Sequence, residues 1–133
     1  MKIFELMAKD VETLDRNDTL SLAEDLMKMK RLRHLPVVDE GQLAGIISQR
    51  DMFHAGLSTA MGFGTKAKGE FLKTVLVKEI MTDEVITIDP GADVKVAAQL
   101  MLKKKIGCLP VVDRGELVGL ISESDVIRIV AES

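Results

Sequence analysis

Apolar residues recur along this chain with two different spacings, and the whole alternation between them runs through twice. Val11–Leu14 and Val85–Ile88 (VETL and VITI) are short β-branched runs that predict strands. A polar break follows each, DRNDT and then DPGAD, where Asp and Asn suit a helix N-cap and Pro90 suits a first turn. Beyond the break, Leu20, Ala23, Leu26 and Met27, and again Val94, Ala97, Leu100 and Met101, fall three and four residues apart. That spacing predicts a helix with one buried stripe. LPVVD, at Leu35–Asp39 and Leu109–Asp113, opens a strand with proline near its start, where a missing N–H disturbs a ladder least. Asp39-Glu40-Gly41 and Asp113-Arg114-Gly115 make a tight turn, glycine supplying positive φ. LAGIIS and LVGLIS are almost wholly apolar, as in a strand covered on both faces, and SQRDMF and SESDVIRIV begin helices.

The two passages are copies. Leu35 matches Leu109, an offset of 74 residues that holds without a gap from Glu5/Glu79 to Asp51/Asp125 and takes in Met7/Met81, Val11/Val85 and Met27/Met101. Each copy reads β-α-β-β-α. A unit of about 50 residues buries too little surface to be comfortable alone, and two copies can share a core. The expected organisation is one unit over residues 1–56, a linker over 57–76 and a second unit over 77–133. The glycines of the linker predict a mobile connection, with a short helical approach near Glu70–Leu76. Its GFGTK lacks the spacing of a phosphate-binding loop, and no apolar strand leads directly into it.

Composition narrows the function classes. The net charge of −3, the absence of Trp and Tyr and the presence of only four Phe argue against general nucleic-acid binding, which needs a basic face and stacking rings. No apolar run approaches the roughly 20 residues that span a bilayer, and the start, MKIFELMAKD, lacks a signal-peptide pattern, so no membrane association and a cytoplasmic location are expected. Cys108 is the only cysteine and reads as a small buried hydrophobe. His34 and His54 form no triad and no metal-ligand spacing, so neither an enzyme nor a metal site is expected.

The candidate chemistry lies where the last strand of each copy turns into a helix, at Ser48-Gln49-Arg50-Asp51 and Ser122-Glu123-Ser124-Asp125. Two readings stand. A Ser followed three residues on by an acid is a capping box. A carboxylate there can also accept hydrogen bonds from both hydroxyls of a ribose, beside helix N–H groups that suit a phosphate. Arg31 and Lys103–Lys105 complement helix C-termini. The helices after Asp51 and Asp125 carry Met52, Phe53, Val126, Ile127, Ile129 and Val130, expected to be exposed and to be covered by a two-fold homodimer interface.

The ordered set of V-x-x-I-M-T before the first strand of the second copy (I-x-x-L-M-A in the first), with the LPVVD-x-G-x-L-x-G-h-I-S block and the closing S-x-x-D in both, resembles the cystathionine-β-synthase (CBS) domain. The resemblance covers nearly the whole chain outside the linker. It implies a mixed α/β (α+β) protein of two tandem β-α-β-β-α CBS units packed as a pseudo-two-fold pair. It implies a regulatory sensor of AMP, ADP or ATP that requires no cofactor and reports to an unidentified effector protein. On its pattern, Ser48, Asp51, Ser122 and Asp125 would hold ribose, with Gly45 and Gly119 completing the motif. Adenine would lie against Val11, Thr13 and Pro36 in one cleft and Val85, Ile86, Thr87 and Pro110 in the other. Arg33, His34 and Arg50 would face phosphates, so the first cleft should prefer the more highly phosphorylated ligands. The alternatives are a module with empty clefts that only binds proteins, and a sensor of S-adenosylmethionine.

Overall fold

The computed structural model describes the backbone of residues 1–60 and 65–133, and side chains outside residues 56–68. The contacts divide the chain into a continuous unit, Glu12–Glu84, and a split unit, Met1–Val11 with Val85–Ser133. The continuous unit holds β1 (Leu14–Asp15), α2 (Leu20–Lys30), β2 (His34–Asp39), β3 (Gln42–Ser48), α3 (Gln49–Ala60) and α4 (Thr65–Thr74). The split unit holds α1 (Ile3–Leu6), α5 (Val94–Lys104), β4 (Cys108–Asp113), β5 (Glu116–Ser122) and α6 (Glu123–Ala131).

The hairpins are as the sequence predicts. β2 and β3 pair antiparallel, as do β4 and β5. Each turn has two residues at positive φ, Glu40 at 51° with Gly41 at 81°, and Arg114 at 54° with Gly115 at 85°. Two left-handed residues in a two-residue loop match the right-handed twist of the strands. Each ladder shifts register between its paired valines, Val37/Val38 and Val111/Val112, which leaves Ala44 and Val118 as the extra residues of a bulge. In β3 and β5 only Gly45, Ile47, Gly119 and Ile121 are fully buried and their neighbours are half-buried. The expectation of equal cover on both faces is corrected accordingly.

The first strand of each copy is far shorter than its β-branched run. Only Leu14–Asp15 pairs with β2, in parallel at Leu14↔Val37 and Asp15↔Val38, and in the other copy only Ile88 bridges Val111. Proline ends the ladder. A parallel rung on the N-terminal side would need an N–H from residue 36 or 110 to the carbonyl of Glu12 or Ile86, and both positions are proline. Val11–Thr13 and Val85–Thr87 therefore lie outside the ladder.

Helix ends are capped locally. Thr19 Oγ1 accepts from Leu22 N–H and Asp93 from Lys95 N–H, the latter bond holding the Asp93 carboxyl below its ordinary range. Arg31 and Lys105 close α2 and α5 in the left-handed conformation, at φ 54° and 55°. The predicted stripes are the buried ones: Leu20, Ala23 and Met27 face a core with Leu14, Leu35, Val37 and Ile47, while Val94, Ala97 and Met101 face Ile3, Leu109, Val111 and Ile121. Each fully buried aliphatic contributes roughly 1.5–3 kcal/mol.

Two expectations change. The short helix expected near Glu70–Leu76 runs over Thr65–Thr74, with Leu72 buried in the continuous unit's core and Phe71 and Val75 packed on it. Residues 61–64, which include part of GFGTK, lie outside the described residues. Of the helix residues expected to be exposed, Met52 is buried, and Val126 and Ile129 pack against the split unit's core. Phe53, Ile127 and Val130 are 63%, 64% and 73% exposed and remain as surface apolar groups.

The residues ahead of each copy pack on the other copy. Thr82 pairs with Ile46 through two main-chain bonds of 2.9 Å, and Ala8 pairs with Leu120 through bonds of 3.0 and 3.1 Å. Glycine permits both approaches. A β-carbon on Gly45 would lie 2.6 Å from Met81 Sδ and 2.8 Å from the Thr82 carbonyl oxygen, and one on Gly119 would overlap Met7 and sit 3.0 Å from the Ala8 carbonyl oxygen. Gly41, by contrast, has open space around it and only its positive φ to protect. Gly45→Ala should therefore cost about 2–4 kcal/mol by displacing Met81–Thr82, and Gly41→Ala about 1 kcal/mol from backbone strain. Urea denaturation of the two variants checks this; equal losses would contradict the close-approach account.

Candidate functional site

β3 ends on Ser48 and α3 begins on the next residue, so the strand delivers its last side chain to the mouth of the helix. Ser48 N–H donates to Asp51 Oδ2 at 2.8 Å, and Asp51 N–H donates to Ser48 Oγ at 3.0 Å. This is a reciprocal capping box, so one of the two readings of the motif is realised in the fold. It leaves Asp51 Oδ1 without a hydrogen bond from the described side chains. Gln49 N–H donates to the Arg33 carbonyl at 2.8 Å, and His34 stands opposite Ser48 in the ladder. Arg33, His34, Ser48, Arg50 and Asp51 are thereby gathered at one mouth, with Arg33 and Arg50 exposed and the other three half-buried. Beside it, Asp51, His54, Ala55 and Ile80 line a pocket of about 280 Å3.

The split unit repeats the frame. Ser122 N–H donates to Asp125 Oδ2 at 2.8 Å, Ser122 Oγ donates to the same oxygen at 3.0 Å, and Asp125 N–H donates to Ser122 Oγ at 3.4 Å. Glu123 N–H donates to the Gly107 carbonyl at 2.9 Å, and Cys108 stands opposite Ser122. Here the second carboxylate oxygen is engaged, since Asp125 Oδ1 pairs with Arg128 Nη1 at 3.4 Å. Burial, and then the charge of Asp125, push the Cys108 thiol up to about 12.

The residues expected around adenine divide between the units. Thr13 is half-buried in the continuous unit, just ahead of β1, whereas Val11 belongs to the split unit with Val85, Ile86 and Thr87. Ile86 packs against the core and Thr87 is exposed. Pro36 and Pro110 are fully buried, so their part at the site is to leave the neighbouring main chain out of the ladder. Sequence reasoning passed over His54 and Ile80 as lining residues and Arg128 as the partner of Asp125; the repeat offset, which sets Arg128 against His54, carried that signal. Among the described residues no cluster of His, Cys, Asp and Glu could hold a metal, and no helix is long and apolar enough to cross a membrane.

Known proteins share the duplicated frame of this chain. The CBS domain family matches twice, over residues 3–58 and 77–132, and the chain belongs to that family as a tandem CBS pair. A CBS domain-containing protein of Dictyostelium discoideum is 34% identical over 125 residues, covering 92% of this chain and 86% of that one. Among solved structures, the Vibrio cholerae protein assigned to acetoin utilization (AcuB) is 37% identical with a TM-score of 0.82, covering 99% of this chain and 91% of that one. The CBS domain pair of protein MJ0100, solved with 5′-methylthioadenosine and S-adenosyl-L-methionine, is 28% identical with a TM-score of 0.83, covering 98% and 99%. The chain also matches inosine-5′-monophosphate dehydrogenase of Korarchaeum cryptofilum at 34% identity, but over only 22% of that enzyme, so its activity does not transfer.

The thiol gives a pH prediction. Its folded pKa, about 12, lies above the ordinary 9.0, so the fold favours the protonated form; that contribution is whole below pH 9 and falls as pH rises. Stability of the wild type should drop with pH above 9 by up to roughly 1.4 kcal/mol per unit more than that of Cys108→Ala. Parallel stability curves for the two proteins between pH 8 and 10 would contradict it.

Proposed function

We propose that the chain is a regulatory module that binds AMP, ADP or ATP at a Ser-x-x-Asp helix mouth and reports its level to an effector protein, without turning the nucleotide over. The observation that carries this reading is the doubled Ser-x-x-Asp mouth, above all Asp51, whose Oδ1 accepts no hydrogen bond from the described residues while Oδ2 holds the helix cap. Two ribose hydroxyls suit such an oxygen, and the N-terminus of α3 with Arg33, His34 and Arg50 suits the phosphates. Adenine would lie against the unladdered main chain near Thr13 in the continuous unit and near Val85–Thr87 in the split unit. That chain offers N–H and C=O groups to a base edge whatever the side chains are.

Binding signals only if it favours one arrangement of the protein over another. The exposed Phe53 and Ile127, equivalent positions in the two copies, together with Val130 suit a homodimer interface. S-adenosylmethionine is a second reading, favoured by its presence in the similar MJ0100 pair and opposed by the basic Arg33 and Arg50.

Calorimetry with AMP, ADP, ATP, adenosine and S-adenosylmethionine tests the reading. ATP should bind and be recovered intact after long incubation. Arg33→Gln should cost on the order of 1–3 kcal/mol for ATP and almost nothing for adenosine, and rising salt should shrink the difference. Equal losses for the two ligands would make Arg33 a structural residue, and no binding of any adenosine compound at millimolar concentration would remove the function. Sedimentation of the same samples should show a dimer at tens of micromolar, and a monomer would remove the interface.

A further inference from the structure

We propose that the two mouths differ in the charge of ligand they accept, with Glu123 as the specificity-determining residue: the continuous unit takes a phosphorylated adenosine ligand, and the split unit takes one whose 5′ substituent carries no negative charge. This rests on the adenosine reading above. Both mouths are built on the same backbone, with matching caps and matching bonds from Gln49 to Arg33 and from Glu123 to Gly107, so the side chains are what differ. Arg33-His34 in one copy stands against Gly107-Cys108 in the other, and Gln49-Arg50 against Glu123-Ser124. Cationic side chains are lost and an acidic one is gained.

The geometry fixes where that acid sits. Glu123 Oε1 lies 3.1 Å, and its Cδ 3.2 Å, from the point a β-carbon on Gly107 would occupy. The carboxylate therefore lies against the position where the other mouth carries the stem of Arg33. Arg128 is paired with Asp125, and Glu123 takes part in no ion pair among the described residues. Basic residues end the preceding helix in both copies, as Lys28, Lys30 and Arg31 or as Lys103, Lys104 and Lys105, so they do not distinguish the mouths. Cys108 stays neutral, its thiol pushed up to about 12. A phosphate reaching back along the ribose toward residue 107 meets a like charge at short range, whereas a neutral or cationic 5′ group does not.

The test is calorimetric titration of the full chain with ATP and with adenosine. The proteins compared are the wild type, Asp51→Asn, Asp125→Asn and the double variant Glu123→Gln/Ser124→Arg. Asparagine keeps an oxygen for the helix cap, and thermal melting checks that each variant folds. The wild type should bind one ATP and two adenosines per chain. Asp51→Asn should weaken ATP by roughly tenfold or more, and Asp125→Asn should leave ATP within about twofold while removing one adenosine site. The double variant should gain a second ATP. Two ATP per wild-type chain, or an ATP site lost with Asp125→Asn in place of Asp51→Asn, would overturn the assignment and leave the adenosine reading standing. Failure of both ligands to bind the wild type would overturn that reading and the assignment with it.

Discussion

A close main-chain approach, permitted by two glycines, governs how this chain folds. Thr82 pairs with Ile46 beside Gly45, and Ala8 pairs with Leu120 beside Gly119. The residues that introduce one copy thereby complete the other, which is why the compact units are Glu12–Glu84 and the two-part remainder, cut differently from the repeats. The exchange reaches the site. Ile80, on the segment that closes over β3, lines the pocket beside Asp51 and packs on the core of the same unit. A side chain at position 45 would push on that segment, and the push would be felt in the pocket wall as well as in the ladder.

On the proposed reading, the helix mouths carry two duties on one set of atoms. Ser48 and Asp51 complete a capping box that contributes of the order of 1 kcal/mol to the helix. That box holds the carboxylate in a fixed orientation, which is what the proposed ribose contact of Asp51 requires. In the split unit the same cap is made, but Asp125 Oδ1 is engaged by Arg128, a partly exposed pair that solvent weakens and that a ligand would have to displace. Duplication preserved the frame, and divergence acted on the few side chains around it.

Much of this was legible in the sequence because it is local. The hairpin turns, the capped helices and their buried stripes depend on residues within a few positions of one another, and the repeat showed each twice. What was not legible depends on distant partners. VETL and VITI have the composition of strands, yet their ladders end where Pro36 and Pro110 cannot donate. Met52, Val126 and Ile129 read as surface because their helices' phase against the core was unknown. Gly45 and Gly119 belonged to a recognisable pattern, but their room for Met81–Thr82 and Met7–Ala8 appears only once those segments cross to the opposite copy. Of the candidate site, Ser48, Asp51, Ser122 and Asp125 stood out by spacing as caps and by the family resemblance as ribose contacts, while Glu123 folded against Gly107 needed coordinates.

The central claim is that the helix mouth of the continuous unit holds the ribose and phosphates of a nucleotide. Amide chemical-shift mapping of the 15N-labelled chain titrated with ATP tests it most directly. The account predicts that the largest shifts fall on Arg33, His34 and Ser48–Asp51, which share one mouth through the Gln49–Arg33 bond and the His34–Ser48 pairing. Shifts centred away from both Ser-x-x-Asp mouths, with Ser48–Asp51 unmoved at saturation, would contradict it.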